Sequence, residues 1–388
     1  MLPPLGAVGL SLALLLRPVL SFEYTTTNNS TPHDNTSNCT CYVINSGASS
    51  NTPEYFSYYR FYDFRNLADR PGQYTTAPPL LNDSQDAGTQ AVRDNGVLNS
   101  SAWNTDWGIQ NWSKPSTEDF PTAMNNSPAN VYLSQNDDTN NAFTWLTLRT
   151  SRLDDYQNSA EIENEQKNLM HCSMRMHGRV IGAAGAVAGF FTFYDDNNES
   201  DVEILTNDPK DMIRYTNQPS VDKKGNVIQV ASAAPTDLPK WDDWQTHRID
   251  WLPKNSYWFL DDKQVAANTY SVPRKPSNLV INMWSDGGSW SGNMSVGDSA
   301  EFQIQWIELI FNTSGPVTGP RKSDKREIVD LGNLEKRKQN KGCQVVCKVD
   351  GVKNLGTPEI VSVAAASGIS VNMGVVLVAG FLSVWVGL

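Results

Sequence analysis

Between Tyr55 and Phe311 the apolar residues come in short runs of β-branched and aromatic side chains, punctuated by Gly, Pro, Asn and Asp. Such runs, bounded by residues that break regular structure, predict strands. The clearest are Phe143 to Leu148, Val187 to Tyr194, Trp251 to Leu260, Leu279 to Trp284 and Phe302 to Phe311. In the last, Phe302, Ile304, Trp306 and Glu308 alternate with Gln303, Gln305, Ile307 and Leu309, the two-residue period of a strand covered partly on both faces. The pattern predicts an all-β domain, an antiparallel sandwich or barrel, with no internal repeat.

The flanks read differently. An apolar stretch from Leu5 to Leu16, with Val19 and Ser21 before a cleavage point, resembles a secretory signal over residues 1–21, with Phe22 as the mature start. Residues 22–50 are rich in Thr, Asn and Ser and read as a glycosylated leader rather than a domain. The β domain is expected over 51–315. A Gly/Pro linker and the mixed-charge stretch Arg321 to Lys341 make 316–363 a stalk, with short helical potential near Ile328 to Leu334. From 364 to 388, small residues at Ala364 to Gly368 precede a polar spacer and the uncharged tail Met373 to Leu388. That order fits a glycosylphosphatidylinositol attachment signal, with a single-pass helix as the alternative. The expectation is a secreted protein held at the cell surface or wall by a lipid anchor.

Composition sharpens this picture. The 388 residues include 12 Trp, 26 Gly and 21 Pro, which is core material interrupted by many turns. The net charge of −11, with no compact basic patch before residue 320, excludes nucleic acid as the expected partner. Asn-x-Ser/Thr acceptors recur from Asn28 to Asn312, as secretion would allow. In an oxidising compartment the cysteines Cys39, Cys41, Cys343 and Cys347 are expected to form two bridges joining the flanks of the domain, leaving Cys172 over. A metal cluster is the alternative, but companion histidines are missing and no metal or other cofactor is expected.

Candidate chemistry concentrates in Glu199-Ser-Asp201-Val-Glu203, which follows the turn-like Asp195 to Asn198. On a strand, alternation puts the three acids on one face and Ser200, Val202 and Ile204 on the other. Retaining glycoside hydrolysis needs two carboxyl groups, one attacking the anomeric carbon and one protonating the leaving oxygen. Crowded acids cannot all ionise cheaply, so one proton is held back for general-acid work. Glu199 is the candidate nucleophile, Glu203 the acid/base and Asp201 the group that orients and tunes Glu199. An acidic strand can equally be a solvated edge, so the motif alone does not decide.

The surrounding text does more. The passage Gly189-Phe-Phe-Thr-Phe-Tyr194, a turn, then Glu199 to Ile204 resembles glycoside hydrolase family 16. Matches continue in order at Tyr215-Thr-Asn217, Thr246 to Trp251, Trp258 to Asp262, Ile281-Asn-Met-Trp284 and Trp290-Ser-Gly292, in the flavour of the family's fungal, wall-associated branch. The resemblance implies a β-jelly roll whose concave sheet binds β-1,3- or mixed-linkage glucans. It also implies catalytic roles for Glu199, Asp201 and Glu203, and sugar contacts from Tyr215, Asn282, Trp284, Trp290 and Phe193. Hydrolysis, transfer to another sugar, or lectin-like binding would all fit that implied fold. Trp faces can cover a sugar's CH surface while Asn bonds its hydroxyls. The chain departs from several members in carrying Asn197 and Asn198 before Glu199, and Phe193 where a Tyr is common. Trp251, Trp258 and His247 read as core residues, and the Asn198 acceptor is expected to be unused because a glycan there would crowd the acids. The expected partner is a β-glucan, and the chain is expected to be a monomer.

Overall fold

The computed structural model describes residues 27–29, 39–47, 52–68, 72–80, 96–137, 143–317 and 343–363. The expected signal, most of the expected leader, the charged stretch 321–341 and the apolar tail lie outside the described residues. The described fold is all-β, as the pattern predicts, apart from the short helix Ser101–Asp106 and two single turns of 3-10 helix.

Two sheets face each other across one core. In the first, the strand order is Trp107–Ile109, Tyr156–Asn164, Asn278–Trp284, Val187–Asp195, Asn198–Leu205, Arg214–Asn217 and Ser232–Ala233, each antiparallel to the next. The second is built on the long pair Leu169–Gly182 and Ser299–Thr313. Gln245–Trp251, Ser256–Leu260 and Lys263–Asn268 extend it on one side, and Tyr58–Asp63, Thr144–Arg152 and Val131–Gln135 on the other. Tyr156–Asn164 belongs to both: its first residues pair with Ala123–Asn126 and Thr144–Arg152, its last with Asn278–Trp284.

Alternation fills the space between the sheets. Ala188, Phe190, Val202, Ile204, Leu279, Ile281 and Met283 point inward from the first sheet, and Met174, Met176, Ile249, Trp251, Trp258 and Leu309 from the second. Trp251 and Trp258 are fully buried, as expected of core aromatics. So is His247, whose imidazole has no hydrogen-bond partner and is held neutral by burial, with a pKa pushed down to about 3.

Two local expectations change. The run Trp251 to Leu260 is two strands, closed by a turn in which the Leu252 amide donates to the Asn255 carbonyl at 2.9 Å. In Ser299–Thr313 strict alternation fails, because the register slips between His177/Trp306 and Gly178/Ile304. Phe302 and Ile304 face the core, and beyond the irregularity Ile307, Leu309 and Phe311 do, while Trp306 and Ile310 face outward. One extra residue in a strand turns everything after it onto the other face.

The outward face so created is not bare. Cys41–Ser46, Thr52–Phe56, Val345–Lys348 and Glu359–Val363 form a separate four-stranded sheet. It packs Tyr42, Ile44, Phe56 and Val349 onto Tyr59, Phe61, Trp306 and Ile310. Parts of the expected leader and stalk are therefore folded structure. The disulfides Cys39–Cys347 and Cys41–Cys343 fasten the two flanks, leaving Cys172 buried and unpaired with another cysteine, as the cysteine pattern predicts. Between the layers lies a charged network. Arg175 bridges Glu308 at 3.2 Å and Asp350 at 2.7 Å, Arg248 holds Asp250 at 2.6 Å, and Tyr59 donates to Glu308 at 2.7 Å. Buried charges persist when paired and hydrogen-bonded in this way.

Candidate active site

The acid motif forms the strand Asn198–Leu205, and its register sets the site. Val202 and Ile204 are buried in the core, so Glu199, Asp201 and Glu203 project from the opposite, outer face of the sheet. Across the sheet Glu203 stands beside Gly189, Gly189 beside Asn282, and Asn282 beside Glu161. A parallel row runs from Thr216 through Asp201 to Phe191, and a third pairs Glu199 with Phe193. Gly189 keeps the middle row open: a Cβ there would lie 2.6 Å from Asn282 Oδ1.

Burial raises all three carboxyls. Glu199 is pushed from an ordinary 4.5 up to about 8, and Glu203 up to about 7. Asp201, 2% exposed, is driven well above its usual range by desolvation first and then by the charges of Glu199 and Glu203. The neighbouring carboxyls of Asp201 and Glu199 act on one another in opposite senses, lowering Glu199 and raising Asp201, so the proton of the pair stays with Asp201. Glu203 is opposed in its rise by the Trp290 indole, which donates to Oε1 at 3.1 Å, and by Arg214. Arg214 in turn lies 4.9 Å over the Trp290 ring and is gripped by Asp208 at 2.7 Å.

Trp290 sits on a pinned loop. Asp286 accepts from the Ser291 hydroxyl at 3.0 Å and from the Gly288 amide at 3.1 Å, and Gly292 adopts a positive φ of 76° where a side chain would strike Asn207. The Asn198 side chain donates from Nδ2 to Asp195 at 2.9 Å and accepts at Oδ1 from the Arg274 backbone amide at 3.0 Å, so its carboxamide is held from both sides.

Of the sugar-contact residues expected from sequence, Trp290, Asn282, Trp284 and Phe193 share the acid-bearing face. Trp290 is 41% exposed, and Phe193 meets Phe191 edge-on at 6.4 Å. Tyr215 does not join them. It pairs with Val202, points inward with it, is 1% exposed and packs on Trp258 at 5.9 Å. One step along its strand, Arg214 and Thr216 face the acids instead, because successive side chains take opposite faces.

Asn282 and Trp284 line a cavity of about 160 Å³ together with Trp112, Lys114, Asn126 and Glu161. Sequence reasoning missed the last four. Glu161, raised by burial, accepts from the Trp112 indole at 2.8 Å and from Asn282 Nδ2 at 3.3 Å. Asn126 Nδ2 and Asn282 Oδ1 are left without protein partners, one donor and one acceptor lining the cavity. The signal for Glu161 is present in the chain: Glu161-Ile-Glu163-Asn-Glu165 repeats the alternating acids of 199–203. At about 4.8 Å per strand the cavity, lined by residues two and three strands from Glu203, lies roughly 10 to 14 Å along the sheet from it. The outer face thus carries an acid array at one place and a polar, aromatic-walled cavity in line with it, which suits an extended chain of hydroxylated rings.

Residues 124–308, a little under half of the chain, match the family model described as glycosyl hydrolases family 16. A beta-glucanase of Paenibacillus polymyxa is 25% identical over 137 residues, covering 33% of this chain and 54% of that protein. A beta-glucanase of Bacillus licheniformis is 23% identical over 132 residues, covering 32% and 51%. The chain spans about half the length of these curated relatives. The solved structure of the Bacillus licheniformis beta-glucanase aligns with 53% of this chain and 92% of its own at a TM-score of 0.42 and 15% identity.

Proposed function

We propose, from the family 16 match over residues 124–308 and the acid array at its centre, that this chain is a retaining endo-β-glucanase acting on β-1,3- or mixed-linkage glucan. The observation that carries the reading is the placing of Glu199, Asp201 and Glu203 on one face, with Trp290 bonded to Glu203. The reactive protonation state of the coupled pair has Glu199 ionised and Glu203 protonated, although burial alone holds the Glu199 proton longer; in it Glu199 attacks the anomeric carbon while Glu203 gives its proton to the departing glycosidic oxygen, leaving a glycosyl ester on Glu199. Glu203, now ionised, takes a proton from the incoming hydroxyl, which attacks the same carbon and releases Glu199. Asp201 keeps its proton and hydrogen-bonds the Glu199 carboxylate, favouring its departure in the second step. Water as the incoming hydroxyl gives hydrolysis; a sugar gives transfer by the same groups.

The proposed setting is the cell surface or wall, where such a substrate is met. The test is to incubate the protein with laminarin, mixed-linkage glucan and chitin oligosaccharides and resolve hydrolysed from transferred products by mass. Cleavage of a β-glucan, lost by at least a thousandfold in Glu199→Gln, is the expected result (order of magnitude for a covalent nucleophile). Activity surviving that substitution would sink the mechanism, and binding without turnover in the wild type would favour the lectin-like alternative.

A further inference from the structure

Asp201 does its work only if its proton sits on the oxygen that is free to donate, and the strand next door holds the group that decides this. Gln218 follows Arg214–Asn217 directly, and its side chain donates from Nε2 to Asp201 Oδ2 at 3.1 Å. The rest of Gln218 is tied down. Its backbone amide donates to the Glu199 carbonyl at 3.1 Å, its carbonyl accepts from the Ser271 hydroxyl at 2.7 Å, and its Oε1 accepts from the Ser220 amide at 2.8 Å. The last contact fixes the orientation of the carboxamide. A backbone amide can only donate, so the atom facing Ser220 is the oxygen, and the atom facing Asp201 is the NH2.

An NH2 group offers Asp201 Oδ2 only a hydrogen. That oxygen is therefore held as an acceptor, and Oδ1, buried and reached by no protein donor, is left to carry the proton. We propose that Gln218 is a positioning residue for the acid array, holding Asp201 Oδ2 as the accepting oxygen so that Oδ1 is the one that carries the proton Asp201 offers to Glu199. This rests on the glycosidase reading of the site, but the proton's place can be measured apart from activity. The other charged groups acting on the array are Glu203, Asp196 and Arg214, none of which contacts Asp201 Oδ2.

The removal of Gln218 has a definite sign. Its hydrogen bond lowers Asp201, and the hydrogen bond from Asp201 lowers Glu199. Without Gln218 the Asp201 proton is shared between both oxygens, Glu199 loses part of its donor, and Glu199 becomes harder to ionise. In Gln218→Leu, kcat on β-glucan is expected to fall roughly 10- to 100-fold, a range typical of groups that orient a reacting one, with KM changed by less than about twofold. The acid limb of the kcat/KM profile should move to higher pH by roughly half a unit or more. Gln218→Glu, able to donate only when protonated, should regain activity relative to wild type as the pH falls. Carbon-13 carboxyl NMR of the labelled proteins supplies the readout that needs no substrate: Asp201 should titrate after Glu199 in the wild type, and both should titrate at higher pH in Gln218→Leu. Superimposable titrations and pH profiles in wild type and both variants would overturn the proposal, whatever happened to melting temperature. A wild type inactive on every glucan would instead defeat the glycosidase reading, and the NMR titrations would still decide the role of Gln218.

Discussion

Glu199 shows how a buried acid links chemistry to stability. Its carboxyl ionises near 4.5 in an unfolded chain but holds its proton to about 8 in the fold. The folded state therefore binds more protons between those values, and its stability declines as the pH climbs through that window. Glu199→Gln removes the effect. The variant should match or trail the wild type near pH 4 and gain on it steadily toward pH 8, where thermal unfolding should show it ahead by roughly 3 °C or more. A constant offset across pH would mean that the proton is not held there. The acids were legible in the sequence because period-2 alternation alone puts them on one face. Tyr215 was not: its motif placed it near the acids, yet one residue of strand phase decides between cleft and core, and only pairing with Val202 fixes that phase.

At the scale of elements, the sheet is read best as rows across strands. The row Glu203, Gly189, Asn282, Glu161 joins residues far apart in sequence, and none of its neighbours announces the others. That is why Glu161 and Trp112 escaped a reading confined to local motifs, and why the register slip in Ser299–Thr313 could not be seen from alternation that looked regular. Gly189 is the hinge of the row's usefulness. In Gly189→Ala the new methyl would meet Asn282 Oδ1 at 2.6 Å and the Phe191 ring at 3.1 Å, so Asn282 must shift from Glu161. One hydrogen bond to a sugar hydroxyl is worth about 0.5–1.5 kcal/mol. Steady-state kinetics on β-glucan oligosaccharides should show KM raised by up to roughly tenfold with kcat less affected. An unchanged KM would show that substrate does not use this row.

For the whole molecule, the short-run pattern foretold an all-β fold and the cysteines foretold a tie between its flanks. What it did not foretell is that the flanks themselves fold, because Thr- and Asn-rich text around Cys41–Ser46 masks Tyr42 and Ile44, whose apolar cluster includes Trp306, Ile310 and Val349 from far along the chain. The two disulfides, spanning 308 and 302 residues, convert the chain between them into closed covalent rings. A ring can be opened once without falling apart. A single protease cut at an exposed turn such as Lys223–Lys224, which lies within both loops, should leave one molecule of unchanged mass, but for the added water, on a non-reducing gel and two fragments after reduction. If the nick alone releases two pieces under non-reducing conditions, the bridges are not as described. For an enzyme proposed to work at the cell surface or wall, the tie between the flanks of its domain is thus less a brace against heat than a means of surviving damage.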